Sequence, residues 1–395
     1  MKKVVMLEAS VFGLPHIMEA AQKFDVQLVL LAADRNRYLS CLDECMEQGL
    51  EVIDVDTMDV DASAEAIKKI DDVAGIMGNT GSWAPVGARV AKKLGFPGQD
   101  PETVDFLRDK KKTRERLVEA GISKTRSFDP NQKDVLGQMK DANITFPIIL
   151  KPTSGSGSRD VFTIHTEEEF NEKLKEIDPK NFLIETFIKG PLYSAELFVQ
   201  NDKANLLGVS GRILTELPVV QEEAAFFPAH YSEEYYKEIE EWMQSIIDST
   251  GFGSGFMHAE YMQTTEGPEI VEINPRLGGG LIGECIIGST DINIYEAMIS
   301  VALDEKSDLL TKTIEYPKGT AQVLKYVHKT GKITYVTPMP QGFPGNPQFY
   351  SSRTEIESLE GQSANYGIVY AEGENAPNAL DNVLAIARLI VAEVE

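Results

Sequence analysis

The chain reads as an α/β protein: a doubly wound parallel-sheet domain first, a larger α+β region next, and a small C-terminal α+β domain last. Three observations carry this reading. Short apolar runs alternate with amphipathic stretches through the first hundred residues. Farther on, FPIILKPTSGSGSRDVFTI (146–164) leads a lysine out of an apolar run into a loop of glycines and serines. Later still, HAEYMQTTEGPEIVEINPRLGGG (258–280) sets carboxylates along a hairpin. A chain of 395 residues exceeds the size at which one core stops growing, so two or three domains are expected.

In order, KKVVMLEA, VQLVLLAA, LEVIDV and DDVAGIMGN are buried strands, with helix candidates at Pro15–Phe24, Tyr38–Gln48 and Ala62–Ile70 between them. Such alternation argues for a parallel sheet covered on both faces. The basic-then-apolar start lacks a signal peptide's long apolar core and cleavage site and runs into Glu8, so it reads as the first strand. EASVFG follows that strand where a dinucleotide-binding G-x-G-x-x-G would stand, so that fingerprint is absent. GFPGQDPE (95–102) marks the first boundary, giving domains 1–99, 100–315 and 316–395, with a hinge near 185–191. RDKKKTRERLVEAG is a helix ended by Gly121, and Thr166 with Glu169 forms a capping box. FLIETFI and YSAELFVQ are strands around Gly190-Pro191. Ser232 to Ser249 is a helix stopping at Gly251, and the hairpin turns at Glu266-Gly267. Beyond Tyr316 come short strands and a closing apolar helix, Ala379 to Val394.

Composition narrows the function. A net charge of −24 repels nucleic acid and anionic membranes, so neither is an expected partner. No apolar run approaches the ~20 residues of a membrane span. Three cysteines build no disulfide framework, and Cys41 and Cys45 have no metal-site spacing; reduced thiols in a cytoplasmic protein are expected. Sparse cations beside glycines therefore become informative. Small residues let a loop approach a ligand and present N–H groups, and Lys151 at its edge supplies a charge for a phosphate, although a plain turn with a surface lysine has the same look. Strand alternation puts Glu272, Asn274 and Arg276 on one face, with Glu260 across the hairpin. Two carboxylates and an amide oxygen are hard ligands suited to Mg²⁺, with Mn²⁺ the alternative. A solvated charged face is the bland reading; apolar Val271 and Ile273 between these residues weaken it.

In order and spacing, these pieces resemble the ATP-grasp superfamily, and within it the carboxylate–amine ligases of the L-amino acid ligase (dipeptide synthetase) type. The resemblance spans LGFPG, the Asp109–Gly121 helix, FPIILKP with its loop, IETFIKGPLYSAEL, EINPRLGGG and GTAQVLKYV. It implies an ATP-grasp fold with ATP and Mg²⁺ as cofactors. Lys110 and Lys151 then contact phosphates under a flap of Ser154, Gly155, Ser156, Gly157 and Ser158. Glu185 accepts from the adenine amino group beside Thr186, Phe187 and Ile188. Glu260, Glu272 and Asn274 bind metal, and Arg276 steadies the transferred phosphoryl group, with Lys151 beside it. Leu192 stands where the family often has a ribose-binding glutamate, leaving Glu196 as a substitute, and Asp160 stands where a loop glycine is common.

The implied reaction activates a carboxylate of an amino acid as an acyl phosphate and joins it to an amine. Both substrates are small molecules, and a homodimer stays open. Arg276, Gly278, Gly279 and Gly280 are the expected carboxylate side. The segment Arg212–Ala229 reads as a long specificity loop, with Glu216, Glu222 and Glu223 as amine partners. His258 shares a face with Glu260 and is a substrate-side or structural residue; His16 and His230 are further candidates, and Trp83 lies at a strand end where open α/β sheets bind ligands. A D-alanine–D-alanine-type ligase, a biotin-carboxylase-like enzyme and a degenerate ATP-binding sensor are the rival readings.

Overall fold

A computed structural model describes residues 1–395 apart from Asn79, Ser156, Ser158, 216–220, His230, Tyr231 and Ser352. The first four strands, β1 (Lys2–Leu7), β2 (Val26–Ala32), β3 (Glu51–Asp54) and β4 (Val73–Met77), form a parallel sheet in the order β3-β2-β1-β4. Val4, Met6, Leu28 and Leu30 face one core with Leu14, Ile17 and Met18, while Val5, Leu7, Val29 and Leu31 face another with Val86 and Val90. Both faces are covered, as near-continuous apolar strands require. The order reverses between β1 and β4, so the loops after these two strands flank a crevice.

A second sheet, order β5-β8-β6-β7, is built from β5 (Ser127–Phe128), β6 (Ile148–Pro152), β7 (Phe162–Ile164) and β8 (Phe182–Thr186). Its core is Ile148, Leu150, Ile164, Phe170 and Ile184. The connector after β8 docks on the later hairpin: Gly190 has φ +159, and a Cβ there would stand 2.2 Å from the Gln263 carbonyl oxygen.

The largest sheet joins β9 (Leu192–Gln200), β10 (Lys203–Leu214), β11 (Glu222–Phe227), β12 (Gly255–Thr264), β13 (Gly267–Asn274) and β14 (Gly319–Tyr326). The small strands β15 (Gly331–Val336), β16 (Gln348–Ser351) and β17 (Glu355–Ile356) follow, then β18 (Asn365–Gly373) and β19 (Ala392–Val394). Its order, β13-β12-β9-β10-β11-β14-β18-β16, carries the sheet across residue 316 without a break. The helix Glu233–Thr250 is capped by Ser232, ends at Gly251 (φ +71), and packs Ile239, Met243 and Ile246 against Leu197, Val209 and Met257. Among the described residues no helix is long and apolar enough to cross a membrane.

Three local expectations are corrected. Arg212–Ala229 is mostly not a loop: β10 and β11 pair antiparallel through Gly211↔Phe226 and Arg212↔Ala225. Inward-facing Arg212 and Glu222 hide the strand alternation because two buried charges read as surface residues. The closing helix is Ala376–Ala387, capped by the Asn375 side chain, and the chain then leaves it as β19 to pair with β15. Of Tyr38–Gln48, only Leu42–Glu47 is α-helical; Arg35–Tyr38 is a 3₁₀ turn that Asp34 caps.

Candidate active site

The phosphate side begins on β6. Alternation buries Ile148 and Leu150 in one core and sends Lys151 to the other face, where its Nζ lies 2.6 Å from Glu185 Oε2 and donates to the Val271 carbonyl at 3.2 Å. Arg114 Nε donates to Glu185 Oε1 at 3.0 Å. Glu185 thus lies between two cations, all three side chains being almost wholly buried. Burial pushes the Glu185 carboxyl up, but Arg114 and Lys151 outweigh it and hold it below the ordinary range. For Lys151 burial wins and lowers its pKa. The carboxylate expected to read adenine is therefore already engaged from both sides. Sequence reasoning missed Arg114, although its position four residues after Lys110 on one helix puts both on the same face.

Lys110 Nζ donates to the Gly155 carbonyl at 3.0 Å and stands 3.4 Å from Glu272 Oε2, so it links the loop to the hairpin. On the loop, the Gly157 carbonyl accepts from the Gln362 backbone N–H at 3.2 Å, and Gly157 has φ +73. Ser154 is exposed beside them, while Ser156 and Ser158 lie outside the described residues. Thr186, Phe187 and Ile188 are half-buried, with the Thr186 hydroxyl enclosed and unpaired.

The hairpin register sets Glu260 opposite Glu272 and His258 opposite Asn274. Asn274 Oδ1 accepts from Arg276 Nη2 at 3.3 Å; Arg276 Nη1 donates to the Leu277 carbonyl, and its Nε is enclosed without a partner. Among the described residues no three His, Cys, Asp or Glu side chains converge as a metal cluster. Glu260, Glu272 and Asn274 supply two carboxylates and an amide. That set fits Mg²⁺, which takes one or two protein carboxylates and fills its shell with phosphates and water.

Behind them lies a buried charge network. His258 Nδ1 meets both Glu196 oxygens at 2.9 Å, and its Nε2 lies 3.2 Å from Glu260 and 3.1 Å from Arg212 Nη2. Burial opposes protonation of His258, yet the Glu196 and Glu260 carboxylates carry it up to about 9. Burial likewise opposes ionisation of Glu260, while His258 and Arg212 hold it down to about 2. Arg212 also pairs with Glu222, whose Oε1 is enclosed and unpaired. Burial raises the Glu222 carboxyl against the pull of Arg212. Glu196 corrects the ribose expectation: it is 1% exposed and accepts from His258, Ser194 and Ser210. It orients a histidine instead of meeting a nucleotide. Gly278 leaves His258 its room, since a Cβ there would stand 3.0 Å from Nδ1.

A cavity of about 570 Å³ brings together Glu260, Glu272, Asn274, Arg276, Gly278, Gly279, Gly280, Glu222, His258 and Trp83, with Gly157 and Leu192 at its edge. Lys110, Lys151, Glu185 and Glu196 do not line it. Trp83 reaches it from the N-terminal sheet, held by its Nε1 donating to Thr57 Oγ1 at 2.8 Å, with the Arg37 guanidinium 4.6 Å over its ring. Two candidates fall away. Glu223 is exposed on the opposite face of β11 from Glu222, because adjacent strand residues alternate. His16 is outside the cavity, stacked on Tyr295 with ring centres 6.3 Å apart. Glu216 and His230 lie outside the described residues. Cys41, Cys45 and Cys285 are buried free thiols.

A family model for the ATP-grasp domain matches residues 144–284, the stretch that carries the loop, the connector and the hairpin. Residues 144–284 thus carry an ATP-grasp domain. The chain is 26% identical over 319 residues to the uncharacterised protein y4rH of Sinorhizobium fredii, covering 78% of this chain and 65% of that protein. It is 22% identical over 336 residues to the L-arginine-specific L-amino acid ligase of Bacillus subtilis, covering 82% and 80%. The structure of the L-amino acid ligase from Bacillus licheniformis superposes with a TM-score of 0.79 at 16% identity, over 100% of this chain and 99% of that one. The similarities thus lie with ATP-dependent carboxylate–amine ligases.

Proposed function

We propose that the protein activates the carboxylate of an amino acid with ATP and joins it to an amine, forming an amide or peptide bond and releasing ADP and phosphate. One observation carries this reading. The hairpin aligns Glu260, Glu272, Asn274 and Arg276 along a cavity, and Lys110 ties that hairpin to the glycine–serine loop.

A substrate carboxylate oxygen attacks the γ-phosphorus; the bond to the bridging oxygen breaks, and ADP leaves. The amine nitrogen then attacks the acyl carbon, and the C–O bond to phosphate breaks. The first step brings anions together, so positive charge is the main requirement. Lys110 and Lys151, outside the cavity lining, would lend positive charge to the phosphates, and Arg276 would hold the carboxylate and the transferred group with a planar fork. Mg²⁺, or Mn²⁺, held by Glu260, Glu272 and Asn274 would add neutralising charge at the phosphates. The loop keeps water from a hydrolysable acyl phosphate, and its small side chains let it lie against the phosphates.

Screening acid–amine pairs for ATP-dependent phosphate release tests the proposal, with hydroxylamine as a general trap for an acyl phosphate. Hydroxamate formation dependent on one amino acid is expected. ATP turnover that no carboxylate stimulates would sink it.

A further inference from the structure

Among the charged groups on the cavity wall that the proposed reaction leaves without a role is Glu284. Glu284 lies one turn past the glycines, on the helix Ile282–Thr290, and is 8% exposed. Its helix neighbours Ile282, Cys285 and Ile286 belong to the apolar core, as do Leu277, Tyr295 and Met298, which line the same cavity. Tyr295 Oη donates to Glu284 Oε1 at 3.2 Å. That hydroxyl is closely seated: a Cβ on Gly13 would stand 2.1 Å from it and one on Gly283 2.8 Å. Among the described residues no lysine, arginine or histidine pairs with Glu284, whereas Glu185, Glu196, Glu222, Glu260 and Glu272 each meet a cation. Burial raises its carboxyl to about 7, against the weaker pull of its own backbone N–H and Tyr295.

An enclosed carboxylate without a counter-charge is costly, and the cost is relieved when a cation enters beside it. The cavity supplies the route. Substrates of the proposed reaction also supply the cation: an acid-side amino acid keeps its ammonium while its carboxylate reacts, and an incoming amine arrives as an ammonium that gives up a proton before its nitrogen attacks.

We propose that Glu284 is the receptor for a substrate ammonium group, fixed in place by Tyr295, and that it selects amino acids over plain carboxylic acids or neutral amines. The proposal rests on the ligase reading. It leaves two sources for the cation, the acid substrate's own ammonium or that of the incoming amine, which share one chemistry.

The test compares wild type with Glu284→Gln, which keeps shape and removes charge. Acid recognition is read from hydroxamate formation with hydroxylamine, uncharged at neutral pH, using an amino acid and its deaminated analogue. Amine recognition is read at saturating acid with an amino acid as nucleophile. The expected result is a KM raised tenfold or more for one of these two ammonium-bearing substrates, identifying the source. The KM for ATP and the rates with the uncharged counterparts should stay within twofold. Glu284→Asp, which restores the charge on a shorter arm, should recover part of the loss and also serves if the glutamine variant folds poorly. Unchanged KM values for both substrates, or equal loss with charged and uncharged counterparts, overturn the assignment. A wild type that forms no hydroxamate with any amino acid fails the ligase reading first, and this assignment with it.

Discussion

Exchanging Glu272 for glutamine removes one negative charge from the cavity wall and hardly changes its shape. Two interactions change. The proposed metal site falls from two carboxylates to one, and Lys110, 3.4 Å away, loses its anionic neighbour. At an effective dielectric near 20, charges at that spacing interact by about 5 kcal/mol before desolvation is subtracted. The Glu272 side chain is 20% exposed, so the net is far smaller. Lys110 keeps its bond to the Gly155 carbonyl and, on the proposed reading, its charge beside the phosphates, so ground-state ATP binding should change little. The transition state should suffer more, because negative charge on the transferred group is then less neutralised. A loss of ~10²–10³ in kcat is expected, or about 3–4 kcal/mol, with the KM for ATP moving only a few-fold. Hydroxamate formation at saturating ATP and Mg²⁺ measures it, and a melting curve confirms the fold. Wild-type kcat in that variant would refute the metal assignment, and a large rise in KM at constant kcat would make Glu272 a mere organiser of Lys110.

Glu185→Gln leaves Arg114 and Lys151 facing each other in a buried site, so a stability loss of roughly 3–5 kcal/mol is expected in denaturant titrations; a loss under about 1 kcal/mol would mean the two cations have other support. Glu222→Gln should raise a substrate KM several-fold while Glu223→Gln leaves all parameters within twofold, since only the former lines the cavity; equal effects would contradict the strand alternation. The Glu284 carboxyl is raised from 4.5 to about 7, so the folded protein binds more protons than the unfolded chain in that window. Its stabilising effect is present below pH 4.5 and lost as pH rises through about 7, on the order of 3 kcal/mol in all. Glu284→Gln should flatten the dependence of stability on pH between 5 and 8, and an unchanged slope would place the effect in another group.

Much of the fold is legible in the chain because its signals are local. The N-terminal strands are near-continuous apolar runs, which is what a sheet covered on both faces requires, and the hairpin around Glu266-Gly267 follows from alternation on either side of a turn. The same alternation, through spacing alone, puts Glu272, Asn274 and Arg276 on one face. It fails where the buried residues are charged. Arg212 and Glu222 made two strands look like a polar loop, and Glu196 looked available although it is sealed beneath His258.

By itself, then, the sequence determined the parallel sheet, the lysine-led loop and the oxygen-rich face of the hairpin, because periodicity and turn chemistry act over a few residues. Only the tertiary structure decided which charges meet. Arg114 and Lys151 close on Glu185, Lys110 reaches Glu272, and Glu284 is left beside Tyr295 without a cation. The ion pairs join different elements, as far apart in the chain as Lys110 and Glu272. Whether a carboxylate is paired, buried or open to a ligand depends on distances that strand order and packing impose.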